Sequence, residues 1–337
     1  MDYYTKIKKN WDAVAKPLDG MGVFEELTAK IGQIQQKEVP VTDKNVVFVL
    51  CADNGIVEEG ISQSDQSVTA ICAENIAKSK STVGIMAKTV GADVAIIDVG
   101  INSSQQFENV RDFKIRKGTR NFSKEPAMTM EELDEAIETG KKLVLEYKNM
   151  GYEMICTGEM GIGNTTTSSA VAASLLGMKA EEVTGRGAGL SDEKLAHKKK
   201  VIADAIDKYQ IDPGDTKEIL RTLGGFDIAT MCGVFLGGSL YNVPIVIDGF
   251  ISMVAALAAE RIVPGTKDCM IPSHMSKEPG VVKIVEELKL TPVIDGHMAL
   301  GEGTGAEMML SLLNIANEVY KSSFSFDEAG VGQYERF

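Results

Sequence analysis

The sequence is poor in the residues that build metal centres and cross-links. It holds only three histidines, His197, His274 and His297, too few for a histidine-built metal site. Its five cysteines, Cys51, Cys72, Cys156, Cys232 and Cys269, are scattered and show no Cys-x-x-Cys spacing. An odd, dispersed set excludes a disulfide framework or a zinc site and reads as reduced core thiols of a cytoplasmic protein. No apolar run reaches the length of a membrane span. The opening MDYYTKIKKNWDAVAK lacks the apolar stretch of a secretory signal. Positive charge is also in deficit, with a net charge of −13 at pH 7. That balance argues against nucleic acid or an anionic membrane as partner. It leaves room for an anionic substrate, because a pocket can be locally positive.

What is present is an ordinary globular composition, 44% hydrophobic and 25% charged over 337 residues, enough chain for a sizeable core. Continuous apolar runs end repeatedly in polar loops. Asn45–Ala52 ends at Asp53-Asn54-Gly55, and Asp93–Gly100 runs into Ile101-Asn102. Glu153–Gly158 ends at Glu159-Met160-Gly161, and Pro244–Gly249 at Phe250-Ile251-Ser252. Buried parallel strands read this way. Helical patterns fall over 3–36 (broken near Gly20), 70–90, 131–149, 191–208, 226–240 and 303–321. Alternating strands and helices predict an α/β fold, an open sheet with helices on both faces. Ligands of such sheets bind beyond the carboxyl ends of the strands. No internal repeat or low-complexity linker marks a boundary. The two chain ends, 1–40 and 303–337, are expected to form a small helical domain beside a large α/β domain over 41–302.

Three segments carry candidate chemistry. In GEMGIGNTTTSSAVAASLLG (Gly158–Gly177) a strand enters a glycine-rich turn, then hydroxyls, then an alanine-rich helix. Backbone amides at such a helix start, with Asn164, Thr165, Thr166 and Thr167 beside them, suit a phosphate. A plain helix cap packed through small residues would look the same. Glu159 beside this cradle points to ribose hydroxyls. It is not a Walker A loop, because no Gly-Lys-Ser/Thr follows. In GRGAGLSDEKLAHKKKVI (Gly185–Ile202), Ser191 or Asp192 caps a helix carrying Lys194, Lys198, Lys199 and Lys200. One of these reaches a phosphate, or all lie on a solvated face. In LGEGTGAEMMLSLL (Leu300–Leu313), Glu302 sits between glycines ahead of an apolar helix. It is either a functional carboxylate or a favourable charge at a helix amino end. Weaker signals are the loop Ala52–Thr69 and His274 with Glu278 near a Pro-Gly turn.

GEMGIGNTTTSSA, GRGAGLSDEKLAHK, DGFISMVAAL, SHMSKEPG and LGEGTGA occur in this order. In them the chain resembles the nicotinate-nucleotide–dimethylbenzimidazole phosphoribosyltransferase family of cobalamin synthesis, from about residue 15 to FDEAGV (Phe326–Val331). The resemblance implies a Rossmann-like, mostly parallel sheet, the small helical domain, and a homodimer. It implies transfer of 5-phosphoribose from nicotinate mononucleotide to an aromatic base, giving an α-ribazole 5′-phosphate type nucleotide and nicotinate. No cofactor and no metal are implied. Glu302 is then the general base, and Glu159 lines the same site. The donor and its phosphate are expected on Gly161, Gly163, Asn164, Thr165, Thr166, Lys198, Asp248 and Gly303. The acceptor is expected on Asn54, Gln66, Met275 and Leu300. The family usually has His at Asn54, Pro at Asp65 and Gln at Met275, departures that bear on acceptor identity, a phenol included. Two other readings stand beside it. One is a nucleotide-binding homologue without chemistry, which retention of Glu302 and Glu159 opposes. The other is a Rossmann-type oxidoreductase, which the missing GxGxxG after the first strand opposes.

Overall fold

The computed structural model describes residues 1–335. Six parallel strands lie in the order β3-β2-β1-β4-β5-β6. They are β1 Asn45–Ala52, β2 Asp93–Gly100, β3 Val110–Asp112, β4 Met154–Met160, β5 Ile245–Val246 and β6 Met270–Ile271. Strand order reverses between β1 and β4, the doubly wound arrangement that opens a crevice at the strand ends. Register places Val46 opposite Asp93 on one side and opposite Ile155 on the other.

β1 shows why a fully apolar run becomes a central strand. Alternate side chains point to opposite faces. Phe48, Leu50 and Ala52 join one core, while Val47, Val49 and Cys51 join the other. β3 and β6 were not foreseen. They are three and two residues long, too short to register as periodic segments. The expected helix over 70–90 is two helices, Ser67–Ala77 and Thr82–Val90. Ser79 adopts φ 53 between them, and the Ser81 side chain accepts from the Gly84 amide to start the second. Helix Phe250–Ile262 begins three residues after β5, where a loop was expected. Every residue from Phe250 to Ala259 is buried, so no polar face marks it as a helix. Helices Thr216–Leu223 and Val281–Leu288 were likewise not foreseen.

The chain ends meet. Helix Tyr3–Ala13 packs with Val23–Gln35 and with the end of Thr304–Ser322 around Ile7, Trp11, Val14, Ala29 and Tyr320. The Trp11 and Tyr320 rings are 5.2 Å apart. Asn10 donates to the Tyr320 hydroxyl at 2.9 Å. Leu27 and Ile31 of the second helix, and Ala306, Met309 and Leu310 of the last, also pack on the sheet with Val47 and Cys156.

Candidate active site

A cavity of about 220 Å³ opens where the sheet order reverses and is lined in part by the ends of β4 and β5. Glu159 lies near the end of β4 and is buried. One carboxylate oxygen rests against the backbone of Gly301, so a Cβ there would lie 2.5 Å from it. On the neighbouring turn of chain, a Cβ on Gly158 would lie 2.6 Å from the Glu302 carbonyl. The two motifs GEMGIGNTT and GEGTGA, about 140 residues apart in the sequence, therefore form one wall. Burial pushes Glu159 up to about 8, partly opposed by a hydrogen bond from Asn164.

Gly161 to Gly163 form the turn after β4. Gly163 has φ 93 and precedes helix Asn164–Leu176, whose amino end has no side-chain cap. A Cβ on Gly163 would sit 2.7 Å from Val57, so glycine answers both the backbone and the space. The Thr166 hydroxyl is buried and finds no partner among the described residues. Lys198, on helix Asp192–Tyr209, is buried; its Nζ donates to Thr165 Oγ1 at 2.9 Å and to the Gly185 carbonyl at 3.4 Å. Burial lowers it to about 8, with Glu278 acting the other way. A helix start without a side-chain cap, hydroxyls and a buried cation are groups that suit an anion.

Glu302 has φ 60 between Gly301 at 86 and Gly303 at 93. A glutamate held in the left-handed region costs about 1–3 kcal/mol and persists where its surroundings impose it. The carboxylate is half-buried at the cavity edge. The nearby Val83 amide, in the first turn of Thr82–Val90, favours its charged form, while its Oε2 is buried and finds no partner among the described residues. Its pKa is raised, mainly by burial and further by Asp248. Asp248 closes the rear of this wall. It accepts from Gly305 at 2.8 Å, Gly303 at 3.1 Å and Ala306 at 3.3 Å. Both its oxygens thus anchor the amino end of Thr304–Ser322, and it also lines the cavity.

The structure gathers Glu159, Glu302, Gly161, Gly163, Asn164, Thr165, Thr166, Asp248 and Leu300 around one cavity. Lys198 stands behind Thr165, and Gly303 stands behind Glu302. Asn54, Gln66 and Met275 do not line it. Asn54 is fully buried beneath the turn, with Nδ2 donating to the Ile162 carbonyl at 3.4 Å. Gln66 is occupied by the Asn54 carbonyl and Asn102. Met275 packs against the core. Ile61, Ser62 and Gln63 from the same first loop reach the cavity instead. Sequence reading also missed Asp227, Glu307 and Arg186. Arg186 stands in the GRGAG stretch and Glu307 in LGEGTGAEMMLSLL, but neither was singled out there, whereas Asp227 lies on a buried helix face that no spacing marks.

The fold and site define a class: an α/β enzyme in which a glycine–threonine turn and carboxylates face one crevice at a sheet crossover. The phosphoribosyltransferase family model matches residues 1–331. The nicotinate-nucleotide–dimethylbenzimidazole phosphoribosyltransferase of Acetivibrio thermocellus is 42% identical over 98% of this chain and 94% of its own. That of Ruminiclostridium cellulolyticum is 41% identical over the same shares. The crystal structure of CobT from Thermus thermophilus superposes with a TM-score of 0.93 at 33% identity, covering 98% of this chain and 99% of that one. The chain belongs to this phosphoribosyltransferase family.

Proposed function

We propose that the chain moves 5-phosphoribose from nicotinate mononucleotide to 5,6-dimethylbenzimidazole or a related aromatic base, supplying the lower-ligand nucleotide of cobalamin. The observation that carries this reading is the single wall made by Glu159 and the 301–303 turn beside an anion cradle. In the donor, the ribose carbon is bonded to a cationic pyridinium. Departure neutralises that ring, so the leaving group needs no proton. The turn 161–166 and Lys198 hold the 5′-phosphate, and Glu159 meets the ribose. Glu302 takes the acceptor N–H proton as the azole nitrogen bonds to the ribose carbon. Such general base catalysis is worth about 10²–10⁴ in rate. Holding donor and acceptor in line supplies the rest. Attack opposite the nicotinate converts the β-glycosidic bond to α.

Leu300 is half-exposed at the cavity edge and gives the acceptor an apolar surface. Asn54, beneath the turn, acts on the donor side by supporting Ile162. Apolar pockets discriminate weakly, a methyl group being worth about 1–3 kcal/mol. Incubation with nicotinate mononucleotide and a panel of benzimidazoles, purines and phenols, read by mass, tests the reading. Nicotinate release with α-ribosyl products from several benzimidazoles is expected. No release with any acceptor sinks it. A preference for dimethylbenzimidazole above about a thousandfold over every other ring exceeds what methyl burial gives and refutes the broad acceptor scope.

Oligomeric state and location belong to the same reading. Ile71, Ile85 and Met308 are exposed on Ser67–Ala77, Thr82–Val90 and Thr304–Ser322, the middle one packing on both others, with Leu300 exposed at the cavity edge. A homodimer covering them is the form we expect, read by light scattering. Five free cysteines suit a cytoplasmic protein. Residues 1–40 with 303–337, of which 336 and 337 lie outside the described residues, are taken as a small helical domain on the 41–302 body, supported by the Trp11–Tyr320 cluster.

A further inference from the structure

Beneath the anion turn lies a buried bridge of three side chains. The Asn164 carboxamide nitrogen donates to the Glu159 carboxylate and, at 3.0 Å, to Asp227 Oδ2. Asp227, in the first turn of helix Phe226–Tyr241, is fully buried. Its other oxygen accepts from the Ile228 amide at 3.0 Å. A carboxamide has two N–H donors on one side and an acceptor on the other. Carboxyl oxygens of both Glu159 and Asp227 lie against its nitrogen, and this fixes which way Asn164 points. The turn is built tightly around the bridge. A Cβ on Gly161 would lie 2.9 Å from Asp227 Oδ2, and one on Gly225 would lie 2.5 Å from Asp227 Oδ1. Glu159 is pinned from the far side by Gly301.

We propose that Asp227 is a positioning residue for the transfer reaction: through the Asn164 carboxamide it holds the Glu159 carboxylate against the 301–303 turn. This rests on the reading of the cavity as the transferase site. Asp227 does not line the cavity, so it acts through Asn164 and not on substrate. The bridge also makes opposite predictions for its two members. Asn164 favours the ionised form of Glu159, and the nearby Asp227 charge opposes it. The other groups acting on Glu159 are the Asp248 and Glu302 carboxylates, with the Cys51 thiol on the adjoining β1. Asp53 acts on Asp227.

The test titrates Glu159 in the free protein by carboxyl carbon NMR, with Glu159→Gln assigning the signal. Asp227→Asn should move the midpoint down by about one pH unit, the effect of removing a near charge. Asn164→Ser should move it up. Turnover of Asp227→Asn should fall about 10- to 100-fold through misplacement, with the donor KM changed by less than about threefold. In a Glu159→Gln background, Asp227→Asn should change turnover by less than about twofold, because coupled groups do not add. Equal losses in both backgrounds, or a midpoint unmoved in both folded variants, overturn the proposal. If Asp227→Asn does not fold, Asn164→Ser tests the bridge from its centre, and a midpoint that stays or falls overturns it. The titration needs no substrate. Absence of transfer by the parent chain overturns the functional reading, while the NMR arm still judges the bridge.

Discussion

Glu302 combines two roles that one substitution separates. Its carboxylate lies near the Val83 amide at the start of Thr82–Val90, which favours its charged form, and it lines the cavity. Glutamine keeps the acceptor oxygen and removes the basicity. Glu302→Gln should therefore retain the parent's melting temperature and donor affinity while turnover falls about 10²–10⁴-fold. A variant within a few-fold of the parent would make Glu302 a helix-end residue. Lys198 gives a second case. Methionine there preserves buried packing and deletes the cation, so Lys198→Met should weaken donor binding by about 1–3 kcal/mol. Its lowered pKa of about 8 also gives a sign. The free enzyme's affinity for the nucleotide should decline as pH rises through 8, when the cation is lost. Isothermal titration with nicotinate mononucleotide checks both, and equal affinity for the riboside lacking the phosphate contradicts both.

At the scale of elements, the site is made by strand ends and helix starts. β4 delivers Glu159, its following turn delivers the amides, and helix Asp192–Tyr209 delivers Lys198. The turn depends on Gly163, which holds φ 93 close to Val57 and Asn54. Gly163→Ala forces a Cβ into both, at a cost of about 1–3 kcal/mol in backbone strain alone. The melting temperature should fall, and donor affinity should fall with it because the amides move. Calorimetry and donor titration together check this; a stable variant with parental affinity would show that the turn does not depend on glycine. The motif order made the turn and its helix readable in the sequence. The bridge beneath was not readable, because Asp227 opens a helix that is buried almost all round and leaves no polar stripe.

For the whole molecule, buried acids outweigh buried bases in the interior. Burial raises Glu159 and Glu307 to about 8, and Asp227 and Asp53 to about 6. The folded state thus holds these protons longer than the unfolded chain, whose carboxyls titrate near about 4. Their contribution to stability is complete below that range and is lost as pH rises through 6 and then 8. Lys198, lowered to about 8, has the opposite sense. Its contribution is complete above the unfolded lysine range and is lost as pH falls through 8, so it changes little between pH 5.5 and 7. The melting temperature of the free protein should fall from pH 5.5 to 8 at constant ionic strength. Glu307 sharpens this, since its carboxylate is fully buried and finds no partner among the described residues. Glu307→Met removes that burden and should raise the melting temperature more at pH 8 than at pH 5.5. A melting temperature that climbs with pH, or a Glu307→Met gain equal at both values, would contradict the assignment.

The sequence alone determined the parallel α/β class, because strands buried on both faces are continuous apolar runs and β1 and β2 end where those runs end. It also marked Glu159, Glu302 and the glycine–threonine turn, since tight backbone and polar side chains at strand ends leave a local signature. The tertiary structure alone decided that Glu159 packs on Gly301, that Asp248 spends both oxygens on a helix start, and that Asn54 supports the turn instead of lining the cavity. Those facts depend on which strand ends become neighbours when the sheet order reverses. Nothing local to any one segment encodes that adjacency; it follows from packing the strands into one sheet with β1 and β4 buried at its centre.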